Sequence, residues 1–368
     1  LPTSTTVSIV FELLGAAVVM SIIKIVNADA SLIEIENYIN VQKATEIVIG
    51  ILLSVFIAFS IGAIIQWISR VILTFDFESK SILLNSIFGS LSFTSIINFI
   101  LIKGIKGTPY SSQTFSILDD LTINEFIDSN ILFFWIISLI FWFIFSLFIS
   151  KILKLDIYKI IIGVGTFSLA LAFAGNDLVN FIGVPIAALE SFQLWSASSL
   201  TASEYSMISL SEKVNTKPIY LFLSGLIMVI TLWFSSKAKN VVKTSLDLSN
   251  QNDTDEKFKA NPVGKSLVML GVFLNELLKK LLPKGLLNQI NQSFTLKDNY
   301  TEAKSVDGIR PSFDKLRACL NLVIAAILIS IATSYQLPLS TTYVTFMVAM
   351  GTSLSDRAWS SDLSLIHI

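Results

Sequence analysis

The sequence predicts an all-α polytopic membrane protein with the architecture of an inverted-repeat secondary transporter containing broken or re-entrant helices. Hydrophobic residues make up 53% of the chain and charged residues only 14%, whereas about a quarter of residues are charged in soluble domains. Several uncharged runs are long enough to cross a bilayer. In addition, one short motif, a proline followed by a hydroxyl cluster and an apolar segment, occurs at both 2–6 and 338–342.

The uncharged runs define the predicted membrane spans. A membrane domain at 1–236 holds the remainder of a first repeat and the start of a second. The run Ala318–Ser355 is too long for one crossing and contains Pro338, so we expect a span, a break and a half-helix in a membrane segment at 318–355. The spans expected in the first domain are Leu1–Ile23, Ile47–Ser69, Ser81–Ile102, Asn130–Ser150, Ile160–Asn176 and Pro218–Ser236.

The segment 237–317 differs from the rest of the chain in composition. It holds more than half of the 26 basic residues, which predicts a cytoplasmic loop by the positive-inside rule. The apolar stretch within 264–282 is too short to span and is interpreted as an interfacial helix. The same rule places the loops at 70–80 and 151–159 in the cytoplasm and those at 24–46 and 103–129 outside. We therefore expect a multi-pass protein of the cell membrane.

With this orientation the two hydroxyl motifs run through the membrane in opposite directions, as in an inverted repeat. The offset that aligns Thr5 with Thr341 also aligns Gly15 with Gly351. The chain begins inside one copy of the motif and ends in a short polar tail at 356–368, which predicts a truncated chain.

The hydroxyl clusters are the candidate anion site. The first amide groups of a helix have no intrahelical partners and carry partial positive charge, so a helix start suits an anion. A simpler interpretation, in which these residues only cap their helices, stays open. The clusters are Ser4, Thr5 and Thr6 in the first copy, and Ser340, Thr341 and Thr342 in the second.

A second candidate site lies at Asn176, Asp177 and Asn180. A carboxylate inside a membrane span is costly, so it indicates a function by default. With amide oxygens and the carbonyls of a helix broken at 175–185, it would suit a hard monovalent cation or a proton. The alternative is an aspartate at a helix end in the membrane interface. Glu12 is either a coupling carboxylate or the partner of a basic residue elsewhere.

Enzymatic chemistry finds little support in the sequence. Cys319 is the single cysteine and His367, the single histidine, lies in the tail. Neither a metal cluster of cysteines nor histidine catalysis in the membrane region is expected. Gly264-Lys265-Ser266 resembles part of a phosphate-binding loop, but Lys259 stands where that loop needs a glycine. We expect no enzyme and no cofactor apart from a transported cation.

The run Gly-Asn-Asp-Leu-Val-Asn-Phe-Ile-Gly at 175–183 resembles the signature of the PiT family of inorganic phosphate transporters. The run Pro-Leu-Ser-Thr-Thr at 338–342 is similar to its companion motif. Residues 313–317 and 356–359 resemble a bacterial branch with a long cytoplasmic loop. The family carries two copies of each signature, and the first Gly-Asn-Asp copy is absent here. The chain is therefore similar to a family member that lacks its first helices.

The resemblance implies cation-coupled phosphate transport across the plasma membrane, with sodium or a proton as the coupling ion. It implies that Asn176, Asp177 and Asn180 bind the cation, and that the two hydroxyl clusters bind phosphate. The expected partners are phosphate, the cation and the lipid bilayer, with no nucleic acid; a homodimer is left open. The alternatives are a carrier for another oxyanion, such as sulfate, and a membrane receptor that transports nothing.

Overall fold

The computed structural model describes residues 4–29, 31–98, 113–114, 121–201, 204–205, 216–240, 269, 273, 283–294, 314–335, 337 and 339–356. Two short 3-10 helices, Leu32–Asn37 and Phe77–Ser79, accompany the α-helices, and these residues form no β-strand. The α-helices are α1 (Thr5–Asn27), α2 (Val41–Leu73), α3 (Ile82–Ile97), α4 (Ile123–Ser129), α5 (Ile131–Lys151), α6 (Ile157–Ala197), α7 (Pro218–Phe234), α8 (Lys284–Ser293), α9 (Lys315–Ser334) and α10 (Thr341–Ser355).

Five helices, α1, α2, α5, α6 and α9, are long and apolar enough to cross a membrane. The helices α3 and α7 are apolar but shorter. The predicted all-α, multi-pass membrane protein is thereby confirmed, whereas the inverted repeat stays a prediction. The expected break in the last apolar run is also present, because α9 ends at Ser334 and α10 begins at Thr341. Pro338 itself lies outside the described residues, as do residues 1–3.

The prediction of a broken helix at 175–185 is wrong. Helix α6 runs without interruption from Ile157 to Ala197 and contains Pro185. It also extends beyond residue 190, into a segment rich in serine and threonine, as far as Ala197. A proline removes one hydrogen bond from a helix. Breaking the helix inside a bilayer would leave several backbone groups without partners, which costs more, so the helix continues.

The chain divides into two compact units. Unit 1 consists of Leu1–Val55, Leu169–Thr244 and Ile329–Val344, and it contains both hydroxyl clusters and the segment 176–180. Unit 2 consists of Phe56–Ser168, Ser245–Leu328 and Thr345–Ile368. The predicted division into membrane domains and a cytoplasmic loop stays a prediction. Of the expected interfacial helix at 264–282, only Met269 and Phe273 are described; both are helical and exposed.

Within unit 2, small residues let helices approach closely. A Cβ atom on Gly351 of α10 would lie 2.2 Å from the Phe59 carbonyl oxygen of α2, and one on Gly62 would lie 2.8 Å from the Val348 carbonyl oxygen. The Ser355 hydroxyl donates to the Ala63 carbonyl oxygen at 2.6 Å. Close backbone contact through small residues is typical of helix pairs in membranes. We call this contact the α2–α10 pair.

Helices α3 and α5 of unit 2 pack in the same way. A Cβ atom on Gly89 would lie 2.8 Å from the Ser146 Oγ, and the Ser90 hydroxyl donates to the Leu139 carbonyl oxygen at 2.7 Å. Gly89 and Ser90 of α3 thus serve helix packing in this region.

Candidate functional site

Ser4 caps α1 and Ser340 caps α10, the two helices that begin within the motif copies. The Ser4 Oγ accepts a hydrogen bond from the Val7 amide at 3.2 Å, and the Ser340 Oγ accepts one from the Tyr343 amide at 3.1 Å. Both serines are buried. They occupy equivalent positions in the two copies and bond to the amide three residues later, as N-caps do. The capping interpretation therefore holds for the serines and leaves the threonine hydroxyls for other partners.

Thr5 and Thr341, which directly follow the capping serines, interact with the same carboxylate, that of Asp177. The Thr341 hydroxyl lies 3.1 Å from each of its two oxygens, and the Thr5 side chain interacts electrostatically with the same carboxylate. Thr5 is the first residue of α1 and Thr341 the first residue of α10. The Asp177 carboxylate thus accepts from the N-terminal end of α10 and interacts with that of α1, and a negative charge is stabilised at such helix ends.

The amides on either side of Asp177 complete the contact. The Asn176 Nδ2 donates to the Asp177 Oδ1 at 3.2 Å. One turn later, the Asn180 Nδ2 donates to the Thr6 Oγ1 at 2.8 Å. One turn of α6 therefore contacts the first hydroxyl cluster through Asn180 and both clusters through Asp177. Thr342 is half-buried at the second position of α10.

The structure places Glu12 apart from these contacts. Its side chain is exposed on α1, and no hydrogen bond or ion pair involving it occurs among the described residues. Its role in coupling stays a prediction. The proposed match of Gly15 with Gly351 is also not reflected in packing, because a Cβ atom on Gly15 would meet nothing within 4 Å.

The side chains around Asp177 supply oxygen ligands and hydroxyl donors together. Carboxylate, hydroxyl and amide oxygens are the ligands that hard cations prefer. No group of three or more histidine, cysteine or acidic residues capable of holding a metal occurs in the described part of the chain. The side chains around Asp177 are chemically able to ligate a monovalent cation or to accept a proton.

Sequence analysis missed a second polar cluster, in unit 2. Arg70, Asp314, Arg317 and Asp356 are buried and interact with one another. The sequence at 313–317 and 356–359 resembles a bacterial branch of the PiT family, and residue 70 falls at the start of a predicted cytoplasmic loop, whereas the structure places Arg70 in the last turn of α2. Long sequence separation hides such contacts from analysis of local patterns.

Comparisons with known proteins give no further guide to the site. No family model matches the chain, and no curated protein or solved structure is significantly similar to it.

Proposed function

We propose that this protein transports inorganic phosphate across the cell membrane together with a cation, either sodium or a proton. The proposal depends on one observation, that Asp177 interacts with both Thr5 and Thr341, the equivalent threonines of the two motif copies. In this proposal the threonine hydroxyls bind phosphate oxygens, and Asp177, with Asn176 and Asn180, binds the cation. The resemblance to the PiT family supports the same assignment.

Charge repulsion accounts for the coupling. Two unit negative charges 4 Å apart repel each other by about 4 kcal/mol at an effective dielectric constant of 20. A phosphate at the threonine hydroxyls would therefore bind poorly beside an ionised Asp177. A sodium ion or a proton on the carboxylate removes this penalty. Phosphate and the cation consequently bind together, and neither is expected to bind tightly alone.

The hydrogen-bonding capacity of Thr341 also predicts that phosphate and the cation bind together. A hydroxyl group has one proton to donate and two lone pairs that can accept. In this structure the proton of Thr341 is directed at Asp177. When a cation occupies the carboxylate, the Thr341 oxygen can also ligate the cation and its proton is released for a phosphate oxygen.

The carboxylate also favours phosphate over sulfate. With sodium as the coupling ion, Asp177 remains an acceptor to which monohydrogen phosphate can donate a hydrogen bond, whereas sulfate has no proton to donate at neutral pH. At a carboxylate, a sulfate oxygen and a carboxylate oxygen would face each other as two acceptors without a proton between them, which costs binding energy. Sulfate is therefore expected to be a poor competitor of phosphate.

Matched substitutions in the second cluster test the proposed role of the hydroxyls. Thr341→Val keeps the branched shape and removes the hydroxyl, whereas Thr341→Ser keeps the hydroxyl. A lost hydrogen bond to a charged group costs roughly 1.5–3 kcal/mol. Thr341→Val should therefore weaken the apparent affinity for phosphate about tenfold to hundredfold, and Thr341→Ser should retain most of it. Thr5→Val should act like Thr341→Val.

Ser340→Ala serves as the control, because Ser340 caps α10. Loss of this cap should cost about 1 kcal/mol of stability and change phosphate affinity less than Thr341→Val does. The measurements are labelled phosphate uptake in proteoliposomes and thermal unfolding in detergent. Parental affinity in Thr341→Val, or equal damage in Thr341→Ser, would contradict the phosphate-binding role.

A further inference from the structure

Four charged side chains form a buried cluster at one end of unit 2. The Arg70 guanidinium donates to Asp356 through Nε at 2.9 Å and through Nη2 at 2.6 Å. Its Nη2 also lies 2.5 Å from an Asp314 oxygen. The Arg317 Nε lies 3.4 Å from Asp356. The side chains of all these pairs are completely buried.

The cluster connects three helix ends. Arg70 lies in the last turn of α2, and Asp356 follows the last residue of α10. Asp314 precedes α9 and accepts a hydrogen bond from the Arg317 amide at 3.1 Å, which makes it the N-cap of that helix. The two positive and two negative charges cancel.

Stability alone gives a poor explanation for such a cluster. The cost of removing charges from water offsets much of their attraction, and apolar replacements of buried ion pairs are often as stable. Asp356 is also unfavourably placed, because a negative charge at the C-terminal end of a helix opposes the helix dipole. Among the described residues, the guanidinium groups and the Gln66 amide, which donates to Asp356 at 2.8 Å, offset this. Buried charges with these properties are best attested where they fix one of two arrangements.

The contacts of the cluster fall into two groups, those within the α2–α10 pair and those between this pair and the start of α9. The α2–α10 pair is held by backbone contact at Gly62 and Gly351 and by the bidentate bond between Arg70 and Asp356. The start of α9 is joined to this pair by Asp314 and Arg317. The contacts include the ion pairs to Arg70 and Asp356 and a hydrogen bond from the Arg317 Nη1 to the Ser353 Oγ at 3.3 Å.

We propose that Asp314 and Arg317 are a latch that fastens the start of α9 to the α2–α10 pair, and that the latch opens during the working cycle of the protein. When it opens, the N-terminal turns of α9 separate from their neighbours in unit 2 and become accessible to water. Further along α9, the hydrogen bond from Thr352 to Asn321 at 2.6 Å remains and limits the movement. The purpose of the latch rests on the proposed transport function, but its opening can be measured without transport.

Cys319 is a natural reporter of this opening. It lies two residues after Arg317 on α9, is fully buried, and its thiol contacts the Tyr158 carbonyl oxygen at 3.3 Å. It is also the single cysteine of the chain. A maleimide can therefore label the protein at this residue alone, and only when the start of α9 is exposed.

The test measures the rate of Cys319 labelling by N-ethylmaleimide in the parental protein and in Asp314→Asn. Asparagine retains the helix cap and removes the charge that pairs with Arg70. We expect labelling to rise about tenfold or more in this variant, beyond any increase in global unfolding. Lys315→Gln is the control, since it removes the partly exposed pairs with Glu78 and Asp156 and should change the labelling rate less than twofold.

An equal labelling rate in folded Asp314→Asn and in the parental protein would overturn the latch. If Asp314→Asn fails to fold, the parental protein decides. Labelling faster than global unfolding supports the latch, and labelling only at the rate of global unfolding overturns it. A change in the labelling rate upon addition of phosphate and sodium would link the latch to transport. A fast labelling rate that neither phosphate nor sodium changes would support the latch and contradict the proposed function.

Discussion

At the scale of single residues, the account depends on how one carboxylate is surrounded. Asp177 interacts with Thr5 and Thr341, the equivalent residues of two motif copies that stand far apart in sequence. Its neighbours Asn176 and Asn180 add amide contacts. The candidate site thus combines one carboxyl group with several neutral polar groups.

Substitution of Asp177 by asparagine isolates the charge. Asp177→Asn keeps the size and most hydrogen bonds but removes the negative charge that would hold a cation. We expect phosphate uptake in proteoliposomes to lose its dependence on the cation gradient and to fall at least about tenfold. The reason is that the coupling cation loses a charged interaction with residue 177 worth roughly 1.5–3 kcal/mol. Insertion into the membrane should be unchanged. Unaltered cation dependence in this variant would rule out a role for Asp177 in coupling.

Sequence analysis predicted the members of this site better than their arrangement. The repeated motif and the polar residues of an otherwise apolar segment identified the threonines and Asp177. Local sequence could not show that Thr5 and Thr341 interact with the same carboxylate, because helix packing decides which side chains meet. Glu12 illustrates the limit, since its spacing from Thr5 placed it on the same helix face and yet it lies exposed.

At the scale of secondary-structure elements, hydropathy predicted the helices and misjudged one of them. The spans beginning near residues 47, 130 and 218 and the break before α10 correspond to observed elements. The continuous α6 was missed because Gly175, Gly183 and Pro185 are helix breakers in water. In a bilayer, a break in the helix exposes backbone groups that cannot find water.

Gly15 and Gly351, which the motif repeat aligns with each other, provide a test of helix packing with an internal control. Gly351→Ala would place a methyl group 2.2 Å from the Phe59 carbonyl oxygen. We expect it to lower the free energy of unfolding by about 1–3 kcal/mol, as overpacking does. Gly15→Ala, with nothing within 4 Å, should be neutral or stabilising by up to about 1 kcal/mol through helix propensity. Thermal unfolding in detergent measures both, and equal effects would contradict the α2–α10 contact.

At the scale of the whole molecule, the two units hold different polar features. Unit 1 contains the hydroxyl clusters and Asp177, and unit 2 contains the buried charge cluster. The first feature combines one carboxylate with hydroxyl and amide groups at the starts of two helices. The second is charge-balanced and enclosed, which suits a conformational role. A transporter needs both a binding site and a means of changing state.

Uptake of labelled phosphate by proteoliposomes containing the protein tests the central claim most directly. We predict accumulation of phosphate when an inward sodium or proton gradient is imposed, loss of accumulation when that gradient is collapsed, and little competition from excess sulfate. Empty liposomes and liposomes with Asp177→Asn provide the baselines. Failure to take up phosphate under either gradient, or uptake that is indifferent to both, would contradict cation-coupled phosphate transport.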